Sequence, residues 1–151
     1  MTAAGGGLCM AVLLMGCAAG RRQTSEPVAN LGDSHFQSYC ASCHQYDGQG
    51  MGAAPPFDDS PWVTGPEDRL IKIVLHGVSG RMEIAGKTYD REMPGFGQVL
   101  SDVDVASLLT YMRGRFGGPS ESISPEAVRK VRAASPDRTA YWTVDELLVE
   151  P

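Results

Sequence analysis

The chain has 151 residues, of which 42% are hydrophobic, and this length suffices for one small domain. Its formal net charge is −5 at pH 7, and its only basic segments are Arg21–Arg22 and Arg129-Lys130-x-Arg132. Binding of nucleic acid requires a more extensive basic patch. The composition therefore predicts a single acidic domain that does not bind nucleic acid.

The N-terminus contains an apolar run, Leu8–Gly16, that is too short to span a bilayer of about 30 Å but has the length of a signal-peptide core. The run ends in LMGC, which resembles the bacterial lipobox, where cleavage before the cysteine leaves that residue acylated. No Lys or Arg precedes the run, unlike in an ordinary signal peptide, and a start site placed too far downstream would explain this. We predict a lipoprotein signal peptide over residues 1–16, lipidation of Cys17 and a flexible tether over residues 17–30.

The next segment, LGDSHFQSYCASCH over residues 31–44, has helical spacing, because Gly32, Phe36 and Cys40 recur every four residues. It ends in a CxxCH motif. Two thiols three residues apart, followed directly by an imidazole, are what covalent attachment of a c-type haem requires. Cys40 and Cys43 would form thioethers with the two vinyl groups, and His44 would ligate the iron.

Two other chemistries use a CxxC motif. A structural zinc site needs four ligands, but outside the motif only His35, His76, Cys9 and Cys17 remain, and both of these cysteines lie in the export segment. A thioredoxin-like redox pair belongs after a strand of a βαβ unit, whereas this segment has helical spacing. The sequence therefore favours covalent haem.

Two further core helices are expected. After a loop rich in glycine and proline over residues 47–56, a second helix begins near Thr64–Asp68, with a proline in its first turn, and ends at Gly77. Residues 78–99 have no sustained helical period and predict a long connection. Ser101 then caps a third helix, which ends at Gly114 or at Gly117–Gly118.

The last fifth of the chain, residues 119–151, has a different composition. Ser124-Pro125-Glu126 is typical of the start of a short helix, and Thr143-x-x-Glu146 is a capping-box pattern for another. Trp142 is the only large anchor expected there. We predict a short helical extension that packs on the preceding domain or trails it.

A second axial ligand decides whether a haem transfers electrons or binds small molecules. Met93, in the segment Met93-Pro94-Gly95-Phe96-Gly97, is the best candidate, because a loop shaped by glycine and proline can hold a thioether rigidly. Met82 and Met51 also lie in predicted loops. His76 or His35 would give a bis-imidazole site, but His76 fits the end of the second helix and His35 shares a helix with the motif.

From about Gly32 to Gly117, these motifs together resemble a class I c-type cytochrome with a single haem: GxxxFxxxCxxCH, a proline after the haem loop, a Met-Pro loop and a last helix with an aromatic residue at position 111. The resemblance implies an all-α fold of about three core helices around the haem, over residues 31–118. It also implies that the first and last helices cross at near right angles through Gly32, Phe36 and Tyr111.

The resemblance also bears on the residues around the haem. A proline carbonyl, of Pro55 or Pro56, is expected to accept the ring N–H of His44, which fixes the ring and raises its basicity as a ligand. Trp62 and Arg69 are candidate partners of the haem propionates, since a buried carboxylate needs a donor or a cation.

The segment HGVSGRMEIAGKTYDREMPGF, followed by LSDVDVASLLTYMRGRFG, is more specifically similar to the haem modules that accompany periplasmic quinoprotein or sugar-dehydrogenase-like enzymes. The resemblance implies an electron carrier rather than an enzyme, exported to the bacterial periplasm and lipid-anchored. Its redox partners would be a dehydrogenase or respiratory complex and an acceptor such as an oxidase, with no substrate at the iron.

The alternative is a c-type haem that senses a ligand or reduces peroxide. Such a protein needs a vacant distal position and an acid–base group beside it. Met93 argues against the vacancy, and the absence of a histidine or acid at a recognisable distal position argues against the acid–base group, although Glu92 and Asp90 lie close to Met93 in the sequence.

Overall fold

The structure, a computed structural model, describes residues 1–2 and 26–149, and for residues 26–30 the backbone alone. Cys17, nearly all of the predicted signal peptide over residues 1–16 and most of the predicted tether lie outside the described residues. Helix α1 begins at Glu26, so the last five tether residues, 26–30, are helical. Among the described residues, no helix is both long enough and apolar enough to span a membrane.

The first predicted helix is present and is built from three parts. Helix α1 (Glu26–His35) runs into a π-helical segment (Phe36–Cys40) and then into α2 (Ala41–His44). Gly32, Phe36 and Cys40 are all buried, which confirms the predicted face. π-Helical turns are rare and are frequently found at functional sites, and this one ends at Cys40, the first cysteine of the motif.

The third predicted helix is α5 (Asp102–Phe116). Ser101 and Asp104 form a reciprocal capping box, in which each side chain accepts a hydrogen bond from the other residue's backbone N–H. Its predicted apolar stripe is buried: Val105, Leu108, Leu109 and Met112. The helix ends at Gly117, whereas Gly114 lies inside it and is exposed.

Helices α1 and α5 pack directly on each other at Gly32. A Cβ atom there would lie 2.3 Å from the Ser107 carbonyl oxygen and 2.7 Å from Cβ of Tyr111, so a larger residue would force the helices apart. The Phe36 ring lies beside them, with its centroid 5.7 Å from that of Tyr111 and 5.3 Å from that of Phe116. The contact predicted between Gly32, Phe36 and Tyr111 is therefore present.

The second predicted helix is preceded by a short one that the sequence did not indicate. Helix α3 (Pro61–Thr64) is capped by Ser60, whose hydroxyl accepts from the Trp62 N–H at 3.3 Å. Helix α4 (Glu67–His76) follows, with Pro66 as its N-cap rather than in its first turn. It ends at Gly77 as expected, where a φ of +82° suits glycine.

Residues 78–99 form a long connection, as predicted, but it contains four short strands that the sequence did not indicate. These are β1 (Gly77–Ser79), β2 (Met82–Ile84), β3 (Lys87–Tyr89) and β4 (Met93–Pro94). Strands β2 and β3 form an antiparallel hairpin around Ala85 and Gly86, both of which have positive φ. Strand β1 pairs antiparallel with β4 and parallel with β5 (Trp142–Thr143).

The all-α prediction is therefore confirmed only in part. The strands contain two or three residues each, which is too short for an alternating pattern to be recognised in the sequence. The long-range partner of β1 is β5, in the C-terminal extension, and no local signal links them.

The C-terminal extension packs on the rest of the protein. It comprises α6 (Pro125–Ala134), β5 and α7 (Val144–Val149), and both predicted caps, at Ser124 and at Thr143 with Glu146, are present. Trp142 is buried, but it is not the only anchor of this extension. Other apolar side chains of the extension are buried too: Ile123, Val128, Val131, Val144 and Leu147.

Candidate haem site

A cavity of about 570 Å³ lies where the CxxCH helix, the loop after it, α4, the β2–β3 hairpin and β4 meet. A volume of several hundred Å³ and a largely apolar wall are typical of sites for organic cofactors. The wall includes these predicted site residues: Cys40, Cys43, His44, Pro55, Pro56, Trp62 and Met93.

Both cysteines of the motif are free thiols on the wall of this cavity. Cys40 is buried and Cys43 is exposed. Burial, with the nearby Cys43 adding to it, raises the pKa of Cys40 to about 12, so this thiol is neutral in the folded chain. The two sulfur atoms are available to bond a group that occupies the cavity.

His44 is buried, and its ring is fixed from two directions. Its Nδ1 atom lies 3.0 Å from the Pro55 carbonyl oxygen, and its ring stacks on that of Phe57 with centroids 4.1 Å apart. A carbonyl oxygen only accepts, so Nδ1 carries the proton and the lone pair of Nε2 is free for a metal. Of the two predicted prolines, Pro55 makes this contact.

The electrostatics of His44 agree with that tautomer. Burial lowers the pKa of the imidazole, and the hydrogen bond to Pro55 opposes this shift to a smaller extent. The ring is therefore neutral, which is the form that ligates a metal.

The loop that presents Pro55 depends on glycine. Gly50 has a φ of +73°, and a Cβ atom on it would lie 2.3 Å from the Ala54 carbonyl oxygen. The side-chain amide of Gln45 donates to the Gly50 carbonyl at 2.7 Å, and the Phe57 N–H donates to the Gly48 carbonyl at 2.8 Å. These contacts fold residues 45–57 back onto His44.

Met93 is half-buried and lines the same cavity from β4. Strand β4 pairs with β1, where Val78 is the partner of Met93, and the loop after β4 is hydrogen-bonded to the end of α4. The Phe96 N–H donates to the Val74 carbonyl at 2.8 Å, and the Gly97 N–H donates to the Leu75 carbonyl at 2.9 Å. A Met-Pro-Gly loop is thus fixed at the cavity wall.

Met82 and Met51 also line the cavity, so cavity lining alone does not separate the three methionines. Met51 is exposed, in the loop after the motif, and Met82 lies on the β2–β3 hairpin. The two remaining histidines lie outside the lining residues. His35 bonds Asp104 at 3.0 Å, and His76 bonds the Ser135 hydroxyl at 3.2 Å.

The two predicted propionate partners are placed differently. Trp62 lines the cavity, whereas Arg69 does not line it and stacks on the Trp62 ring, with its guanidinium carbon 4.7 Å from the ring centroid. Arg69 donates to the Pro61 carbonyl at 2.6 Å. Its Nε atom is buried and has no hydrogen-bond partner among the described residues.

Sequence reasoning missed the contribution of the hairpin and the residues after it. Ile84 and Tyr89 are buried and form part of the wall, and Arg91 places a cation there. The signal that could have found them is weak: Met82 and Ile84 alternate with a polar residue before the Ala85-Gly86 turn.

The residues of the cavity fit a covalently bound haem: two free thiols, a neutral imidazole with a free Nε2 and a largely apolar wall.

Comparison with known proteins agrees with a haem site. A family model described as "Cytochrome C oxidase, cbb3-type, subunit III" matches residues 27–112. The chain is 31% identical over 134 residues to a cytochrome c-552 of Thermus thermophilus, and the match covers 82% of this chain and 84% of that protein.

Two other relatives are longer proteins that match over one part. The chain is 32% identical over 111 residues, 68% of its length, to the fructose dehydrogenase cytochrome subunit of Gluconobacter japonicus, of which this covers 22%. It is 30% identical over 101 residues, 66% of its length, to the cbb3-type cytochrome c oxidase subunit FixPc of Rhizobium leguminosarum bv. viciae, of which this covers 34%. The chain therefore belongs to this cytochrome c family, with a class I cytochrome fold, and it binds haem c covalently through Cys40 and Cys43.

Proposed function

We propose that this cytochrome is a one-electron carrier whose haem iron is ligated by His44 and Met93. The observation that carries the proposal is that one cavity is lined by both the CxxCH motif and Met93. When bound, haem c supplies a reversible one-electron couple at its iron. His44 would offer Nε2 and Met93 its thioether, and a small-molecule substrate would then have no position at the metal.

Backbone support favours Met93 over the other two methionines. Its strand is paired with β1, and the loop after it is bonded to α4 at two carbonyls. Met82 lies on a hairpin whose strands pair only with each other among the described residues, and Met51 is exposed. A ligand that must stay in place through both oxidation states needs the more rigid support.

We also propose Trp62 and Arg69 as partners of the haem propionates. Trp62 lines the cavity, Arg69 stacks on the Trp62 ring, and the buried Nε of Arg69 has no hydrogen-bond partner in the part of the chain that the structure describes. A buried donor without a partner costs free energy, and a carboxylate oxygen would satisfy it. In this arrangement Pro56 contributes to the apolar wall beside Pro55.

The test of the electron-transfer proposal is voltammetry and ligand binding on the intact, haem-loaded wild-type protein. We expect a reversible one-electron wave and a ferrous form that does not bind carbon monoxide. Arg69→Gln should shift the midpoint potential if the guanidinium faces a propionate. Ready binding of carbon monoxide by the wild type would contradict His/Met ligation and favour the sensor or peroxidase alternative, for which Glu92 on the cavity wall would be the acid–base candidate.

The relatives indicate the class of redox partner. Those named as subunits of fructose dehydrogenase, quinone-dependent alcohol dehydrogenase and cbb3-type oxidase suggest a dehydrogenase or oxidase partner for this chain. We propose that it accepts electrons from a periplasmic dehydrogenase or respiratory complex. Reduction of the haem by such a dehydrogenase in the presence of its substrate, followed by absorbance, would test this; failure of dehydrogenases of this class to reduce it would contradict it.

We further propose export to the periplasm and lipid anchoring at Cys17, on the basis of the LMGC sequence. Cys17→Ser should release the protein from membranes while leaving haem attachment intact, since the acylated residue and the haem site are separate. Membrane fractionation after a carbonate wash measures this. Membrane partitioning that does not change in the variant would point to an uncleaved segment or to a partner instead of a lipid.

A further inference from the structure

The side chain of Arg132, on helix α6, bonds the segment that follows the Met93 loop. Its Nη1 donates to the Gly97 carbonyl at 2.6 Å, its Nη2 donates to the Leu100 carbonyl at 3.0 Å, and its Nε donates to the Asp102 carboxylate at 2.8 Å. One guanidinium thus joins the end of the Met93 loop to the start of α5.

This arrangement suits arginine in particular. The planar guanidinium presents several N–H groups in fixed directions, whereas the ammonium group of lysine is a single point of contact. Arg132 is 32% exposed, so its bonds are partly shielded from water. Two of the residues that it bonds, Gly97 and Leu100, flank the exposed pair Gln98–Val99.

A second contact of the C-terminal extension reaches the same loop from the other end. Strand β5 pairs with β1, and β1 pairs with β4, which contains Met93. Trp142 of β5 belongs to a buried cluster with Ile73 and Val78, and Met93 packs against this cluster. The loop is therefore held before Pro94 through the sheet and after Phe96 through Arg132.

We infer that the C-terminal extension positions the Met93 loop, with Arg132 as the main positioning residue. The inference deepens the proposed function and rests on it only in taking Met93 as the ligand. The region matched by the family model ends at residue 112, before α6 and β5 begin. The extension keeps the loop closed, because opening it breaks the hydrogen bond of Arg132 to Gly97 as well as the bonds to α4.

The test uses the intact haem-loaded ferric protein and compares Arg132→Met with Arg129→Met. Arg129 is the matched control, because it lies on the same helix, is exposed and pairs with Glu126 of that helix. We expect amide hydrogen exchange at residues 96–100 to accelerate about tenfold or more in Arg132→Met, since charged hydrogen bonds are lost. Cyanide binding, which must wait for the loop to open, should accelerate by a similar factor, while Arg129→Met stays at the wild-type values.

Arg132→Lys keeps the charge and serves as the test if Arg132→Met does not fold. Exchange at residues 96–100 that is faster than in the wild type, with α1 and α5 unchanged, then supports the inference. Unchanged exchange at residues 96–100 would overturn it. Equal acceleration in α1, α5 and the loop would also overturn it, because that indicates a general loss of stability. If Met93 is not the ligand, faster loop exchange in Arg132→Met would persist without faster cyanide binding, so the two failures are distinguishable.

Discussion

Ferrous protein that carries Met93→Ala should bind carbon monoxide, and its ferric form should lose the weak near-infrared band of a sulfur–iron bond. The physical reason is that the truncated side chain leaves one axial position without a protein ligand. Absorbance spectra of both oxidation states measure the change. The cavity provides matched controls, because Met82 and Met51 line it as well. Met82→Ala and Met51→Ala should keep the band and exclude carbon monoxide.

Met93→His extends the same prediction. The haem should stay six-coordinate, but its midpoint potential should fall by a substantial part of the roughly 0.8 V range that axial ligands span. The fall is expected because a thioether stabilises ferrous iron more than an imidazole does. Loss of the sulfur band in Met82→Ala rather than in Met93→Ala would show that the hairpin, not β4, supplies the ligand.

The double variant Cys40→Ala/Cys43→Ala should carry no covalent haem after export alongside the maturation machinery. Both thiols line the cavity, and without them no side chain on its wall can form a thioether. Haem staining of a denaturing gel measures the loss, because haem that is not covalently bound leaves the chain during denaturation. Each single variant should still stain, through the remaining sulfur atom.

Ser42→Ala is the control for this experiment. Ser42 lies between the two cysteines in the sequence, and its hydroxyl is 3.9 Å from the Cys43 sulfur. Haem attachment requires no bond to this hydroxyl. We expect this variant to stain like the wild type. A colourless wild type under the same conditions would contradict the covalent attachment itself.

Local signals in the sequence determined where several helices begin, which face of the first helix is buried and where haem is attached. The capping pair Ser101 and Asp104 fixed the start of α5, and the four-residue spacing of Gly32, Phe36 and Cys40 identified the buried face of the first helix. The CxxCH motif located the haem attachment site for the same reason, since its chemistry needs only residues adjacent in the chain.

The surroundings of the motif could be predicted only within limits. The sequence allowed either Pro55 or Pro56 to bond His44, and the fold of the glycine-containing loop selects Pro55. It named Arg69 as a propionate partner without indicating that the guanidinium stacks on the Trp62 ring. Which side chain faces a cavity depends on backbone turns whose dihedral angles the sequence constrains only loosely.

The support of Met93 was decided by tertiary structure alone. Strand β4 contains two residues and pairs with β1, which pairs in turn with β5 beyond α5 and α6, and strands this short have no detectable period. The reach of Arg132 to Gly97 likewise depends on where α6 packs. The sequence by itself determined the haem attachment cysteines, the helix caps and the buried face of the first helix, because capping, helical spacing and the CxxCH motif act between near neighbours in the chain. Only the tertiary structure decided what holds Met93 in place, because those contacts join segments that are distant in the chain.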